Sequence, residues 1–184
     1  MKHFLVLLFS VASMSLTVNA QSKFFTKNGK ILFFSKAPLE DIEAKNKSAV
    51  CLLDTQSGTI QFSLLMKGFE FENELMQEHF NDDYVESHKF PKAEFKGQIL
   101  NNASINYKKA GIYPAKVKGK LTIHGETRDV ETTGTIAVNG DNLQIASNFP
   151  IQLSDYKIKI PSLVKDKVSN NIKIIVEGKL EPFQ

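Results

Sequence analysis

Residues 75–95 read LMQEHFNDDYVESHKFPKAEF, and their reading decides the fold, because this stretch alone interrupts a chain of short alternating segments. Asn73 can cap a helix start and Glu74 complements the positive end of its dipole, while Leu75, Met76, His79 and Phe80 share one stripe at helical spacing. Asp82 and Asp83 end the pattern, which predicts one short helix over residues 74–82. Phe90-Pro91 then forces extended backbone, since the residue before a proline is driven out of the helical region. A strand follows from Ala93.

Outward from this helix the chain reads as strands. On the N-terminal side, Phe24-Phe25-Thr26 and Lys30 to Phe34 flank Asn28-Gly29, a strong hairpin signal. Ala37 to Ala44, with a proline and the three acids Glu40, Asp41 and Glu43, reads as a loop or one helical turn. Ser48–Leu53 and Thr59–Met66 pair across residues 55–58, with Ile60, Phe62, Leu64 and Met66 on one face. On the C-terminal side come Ala93–Leu100, a polar turn at 101–106, Gly111–Ile123, a turn at His124-Gly125, and Arg128–Val138. Asn139-Gly140-Asp141 makes a hairpin into Leu143–Phe149, residues 154–171 are polar and irregular, and Ile172–Leu180 closes the pattern. About eight to nine alternating strands with short turns mark an antiparallel barrel or sandwich in a single domain.

Four strands carry a glycine on the face that alternation marks as apolar, at Gly97, Gly119, Gly134 and Gly178. If that face points inward, missing side chains favour an open tube, because a barrel of about eight strands is just wide enough to be filled or to hold one small ligand. Such a tube would be lined by Phe62, Leu64, Phe95, Val117, Leu121, Ile136, Ile174 and Val176, with Gly119, Gly134 and Gly178 holding it open. The alternative is that these glycines let coiled strands bend.

Charge and motif content narrow the function. The formal net charge is +3, Arg128 is the only arginine and the lysines are scattered, which argues against nucleic acid as a partner. Cys51, the single cysteine, lies among Val50, Leu52 and Leu53 and is expected in the core. The chain lacks a nucleophile elbow, a zincin motif, a P-loop and paired cysteines, so no catalytic residue, metal or cofactor is assigned. His79, on the apolar stripe, is expected as a core histidine, and His124 as a turn-fixing one that bonds to backbone.

Two segments carry a resemblance. His79-Phe80, the run Tyr84 to Pro91, Phe95, and Leu121-Thr122-Ile123-His124-Gly125 together resemble the YceI-like family, whose pattern runs H-L, F-D-V-x-K-Y-P-x-x-x-F and L-T-[LI]-H-G. The sequence departs from that family at Ile31–Glu43, which lacks its tryptophan, and at Lys157, where a glycine is expected. The resemblance implies a lipocalin-like up-and-down barrel over residues 21–184 and an exported carrier holding a polyisoprenoid or similar lipid chain. An exported small-substrate enzyme and a stress-related, chaperone-like protein with a filled barrel are the alternatives. Assembly into a homodimer is left open.

Met1 to Ala20 has Lys2, an apolar run from Phe4 to Phe9 and the small-residue site Val18-Asn19-Ala20, the pattern of a cleavable signal peptide. Residue 21 is Gln, so no lipobox follows, and no later stretch approaches the ~20 apolar residues of a membrane helix. A periplasmic or secreted location is expected. Intact-mass analysis of exported protein should show a chain beginning at Gln21, and a retained Met1 or an N-terminal lipid adduct would contradict it.

Overall fold

A computed structural model describes residues 22–183; the signal-peptide expectation lies outside them. Nine strands form one antiparallel sheet: β1 Lys23–Lys36, β2 Asp41–Asp54, β3 Thr59–Leu65, β4 Glu70–Phe71, β5 Lys92–Ile99, β6 Gly111–Ile123, β7 Glu126–Asn139, β8 Asn142–Gln152 and β9 Asn171–Pro182. The order β1-β9-β8-β7-β6-β5-β3-β2 closes on itself because β1 also pairs with β2, giving an eight-strand barrel with the two-residue β4 attached beside β2. The barrel alternative is therefore the correct one, and the sandwich is not. One short helix, α1 Glu74–His79, continues as a wider turn over Phe80–Tyr84. Asn73 caps it as the sequence predicts, its side chain accepting from the amides of Leu75 and Met76 at 2.9 and 3.3 Å.

Two local expectations are corrected. Asn28-Gly29 makes no hairpin: β1 runs straight through it with register shifts between Thr26 and Gly29 and between Gly29 and Ile31. The apolar residues on both sides of this bulge pair with the same two neighbours, β2 and β9. Gly29 is needed for a close approach instead of a turn, since a Cβ there would stand 2.9 Å from the Ala49 carbonyl oxygen. Residues 37–44 are also not all loop. The turn is over by Glu40, and β2 starts at Asp41 with Ala44 and Asn46 buried while Asp41, Glu43 and Lys45 face solvent. The acids that suggested a loop are the outward half of an alternating strand.

The wall is complete only in its lower half. β2 pairs with β3 from Val50 to Asp54, then parts from it and pairs with β4 instead. Buried Asn46 satisfies the point of separation, donating to the Leu65 carbonyl at 3.0 Å and accepting from the Ser48 amide at 2.9 Å. On the far side β7 and β8 pair only from Gly134 to Asn139, so Glu126–Thr133 and Asn148–Gln152 splay apart. Pro150, with no N–H to donate, pairs with Lys173 of β9 but has no partner on the β7 side. Below, Leu53, Ile99, Val138, Leu143 and Leu180 fill the barrel; above, a second cluster around Phe69, Val85, Ile151, Tyr156 and Ile158 leaves space. Cys51 is buried in the lower cluster as expected.

The inward glycines serve strand coiling more than an open tube. Gly97 and Gly119 face each other across β5 and β6, and the Phe95 ring lies over both. A Cβ on Gly119 would meet the Lys96 carbonyl oxygen at 2.5 Å and the Phe95 ring at 2.6 Å. On Gly134 it would collide with the Ala146 carbonyl oxygen. Close approach of neighbouring backbones is what these positions require. Gly119→Val is accordingly expected to destabilise the fold by about 2 kcal/mol or more, the scale of overpacking. Urea unfolding measures it, and an unchanged midpoint would refute the tight contact.

Candidate functional site: an apolar cavity in the upper barrel

Above the filled floor the barrel encloses a cavity of about 440 Å³, within the range of small-molecule sites. Its wall is aliphatic and aromatic because strands expose alternate residues inward. Nine of the sequence-predicted lining residues stand on it: Phe62, Leu64, Phe95, Val117, Leu121, Gly134, Ile136, Ile174 and Val176. Gly119 and Gly178 do not, and their assignment to the lining is corrected. Gly119 is covered by the Phe95 ring, and Gly178 sits lower, where a Cβ would meet Ile145 at 3.2 Å and Leu180 at 3.3 Å.

Sequence reasoning missed a cluster of phenylalanines. Phe80, on the turn after α1, stacks on Phe33 at 5.5 Å and touches Phe71 at 5.1 Å and Phe69 at 5.6 Å, while Phe33 touches Phe69 at 5.2 Å. All four line the cavity. They come from β1, the segment before β4, β4 itself and the helix end, so only closure of the barrel brings them together. Alternation along β1 puts Phe33 on the face of Ile31, and this is the local signal that marks it as inward.

The helix covers the cavity from above. Leu75, Met76, His79 and Phe80 line it, as their shared stripe requires, yet His79 is exposed and lies 3.6 Å from Asp83. The expectation of a core histidine is therefore corrected: Phe80 packs among the other phenylalanines, whereas His79 stands at the exposed end of the stripe.

His124 joins the two segments that fill the splits in the wall. Its Nδ1 lies 3.0 Å from the Tyr156 carbonyl oxygen and its Nε2 lies 2.9 Å from Glu86 Oε2, while the Phe90 ring packs edge-on at 4.5 Å. The backbone bond expected of a turn histidine is present, but to a residue far along the chain. Both partners are acceptors, so a ring carrying hydrogen on both nitrogens satisfies both. Glu86 and His124 each hold left-handed φ angles, 43° and 52°, at the two ends of this contact. Lys89 also donates to Glu86, and Lys89 first and His124 second hold its carboxyl down at about 2. Burial pushes the phenol of Tyr156 up to about 12, with the Asp155 charge adding to it. Among the described residues no group of three or more His, Cys, Asp or Glu side chains could hold a metal ion, and no helix is long and apolar enough to cross a membrane.

A closed up-and-down barrel with a floor of packed side chains and an apolar cavity above it defines a lipocalin-like barrel. The chain belongs to the YceI-like domain family, whose model matches residues 6–180. No curated protein matches it. Among solved structures it is similar to a polyisoprenoid binding domain from Saccharophagus degradans implicated in plant cell wall breakdown, at 12% identity and a TM-score of 0.77 over 89% of this chain and 99% of that one. It is also similar to BcnA of Burkholderia cenocepacia, at 22% identity and a TM-score of 0.68 over 83% and 95% of the two chains. The Campylobacter jejuni YceI protein matches at 17% identity and a TM-score of 0.59, with 100% of both chains covered.

Because the Glu86 carboxyl lies below its usual 4.5 when folded, its contribution to stability is present above about pH 4.5 and is lost as pH falls toward 2. Glu86→Gln should therefore lower the melting temperature at pH 7, and the gap to wild type should close between pH 4.5 and pH 2. A gap that persists at pH 2 would show that the contact acts through something other than this charge.

Proposed function

We propose that this protein is an exported carrier that holds a long apolar chain, of polyisoprenoid or similar lipid type, in the upper barrel. The observation that carries the proposal is the cavity itself: about 440 Å³ walled by aliphatic and phenyl side chains from strands all round the barrel. Such a wall offers a hydrocarbon chain ~0.8 kcal/mol for each methylene removed from water and has little to say to a polar substrate. The polyisoprenoid-binding relative of the same fold supports the ligand class. The protein's role is then to bind and release, with no reaction of its own. The N-terminal pattern of Lys2, apolar run and Val18-Asn19-Ala20 supports work outside the cytoplasm.

Native mass spectrometry of the purified protein should reveal co-purified lipid. Ile174→Trp, which puts an indole into the cavity, should displace a few methylenes and so weaken retention about tenfold or more. Melting temperature is measured alongside. A stable variant that keeps its full lipid load would overturn the proposal.

A further inference from the structure

The mouth of the cavity carries apolar residues that nothing in the fold covers. Leu163, at the tip of the Ser162–Val164 turn, is 94% exposed, and Leu39, in the β1–β2 turn, is 72% exposed. The two turns are fastened into one rim, since the Leu39 amide donates to the Asp166 carbonyl and the Ser169 amide to Ser35 Oγ, each at 2.9 Å. Both segments also reach the cavity, through Ser35 and Glu40 on one and Val164, Lys167 and Val168 on the other. Leu75 on α1, 59% exposed, lies on the same mouth.

Around these leucines cations outnumber acids by one: Lys36, Lys157, Lys159, Lys165 and Lys167 stand on the two segments against Glu40, Asp41, Asp155 and Asp166. Lys157 pairs with Glu126 at 2.6 Å, whereas Lys159, Lys165 and Lys167 have no ion pair among the described residues. The acids of α1, Glu74 and Glu78, are four apart and fall on the helix face opposite the cavity-lining stripe.

We infer that this rim docks on the surface of an anionic lipid bilayer, setting the cavity mouth against the membrane so that an apolar chain passes into the barrel without crossing water. The inference rests on the lipid-carrier function proposed above and adds the place of loading. Exposed leucines flanked by unpaired lysines are the composition that partitions into a headgroup region: the apolar tips enter the acyl boundary and the ammonium groups meet lipid phosphates. Isolated surface leucines need no explanation; two on fastened turns beside an apolar cavity, with lysines on either side of Leu163 in the chain, are a surface of consistent chemistry.

The test is sedimentation with vesicles of phosphatidylcholine containing phosphatidylglycerol, against vesicles of phosphatidylcholine alone. Wild type should pellet with the anionic vesicles and be released as salt rises, because exposed charges are screened. Leu39→Ser with Leu163→Ser, and separately Lys159→Glu with Lys165→Glu, should each reduce partition at least tenfold. None of these four side chains lines the cavity, so uptake of a polyisoprenol supplied in solution should be unchanged in both variants. Wild type that ignores anionic vesicles, or variants that bind them equally well, would overturn docking while leaving the carrier function standing. Wild type that pellets as expected yet takes up no polyisoprenol would remove the carrier function and, with it, the loading role assigned to the rim.

Discussion

Everything in this molecule depends on β1 having both edges occupied. Because Lys23–Lys36 pairs with β2 on one side and β9 on the other, the sheet has no free edge in its lower half and must enclose an interior. Closure requires strands that coil tightly, and the backbones approach most closely at Gly97, Gly119 and Gly134. The Phe95 ring then covers the space that two glycines leave open. A glycine in β1 has the same role, allowing a bulge against Ala49 so that one long strand can satisfy two partners.

A closed lower ring frees the upper half to be irregular. Once the bottom is packed by Leu53, Leu143 and Leu180, strands can part above it on two sides without loss of the fold. Non-sheet segments enter the two gaps, α1 with its following turn on one side and Leu153–Ile158 on the other, and they end in contact with the same imidazole. His124 thus lies where the covering pieces meet, held by Glu86 and the Tyr156 carbonyl. The aromatic cluster around Phe80 fastens the helix to β1 and β4 through side chains that also form the cavity wall. Stability and cavity wall are in this way built from the same rings, which ties the shape of the cavity to the integrity of its cover.

Local pattern determined much of this. Period-two alternation placed Phe62, Leu64, Val117, Leu121, Ile136, Ile174 and Val176 on the inward face, and all stand on the cavity wall. The Asn73 cap, the strand after Pro91 and the tight turn at Gly140-Asp141 were equally legible, because each depends on backbone chemistry within a few residues. Tertiary structure decided what depends on partners far away in sequence. Whether Asn28-Gly29 turns or bulges was settled by pairing on both sides of β1, and Gly119 and Gly178 left the cavity wall because of a phenylalanine ring and a lower packing layer that no local window contains. The depth of the cavity, the meeting of four phenylalanines and the position of His124 between two covering segments follow from ring closure, which brings together residues whose spacing in the chain carries no period.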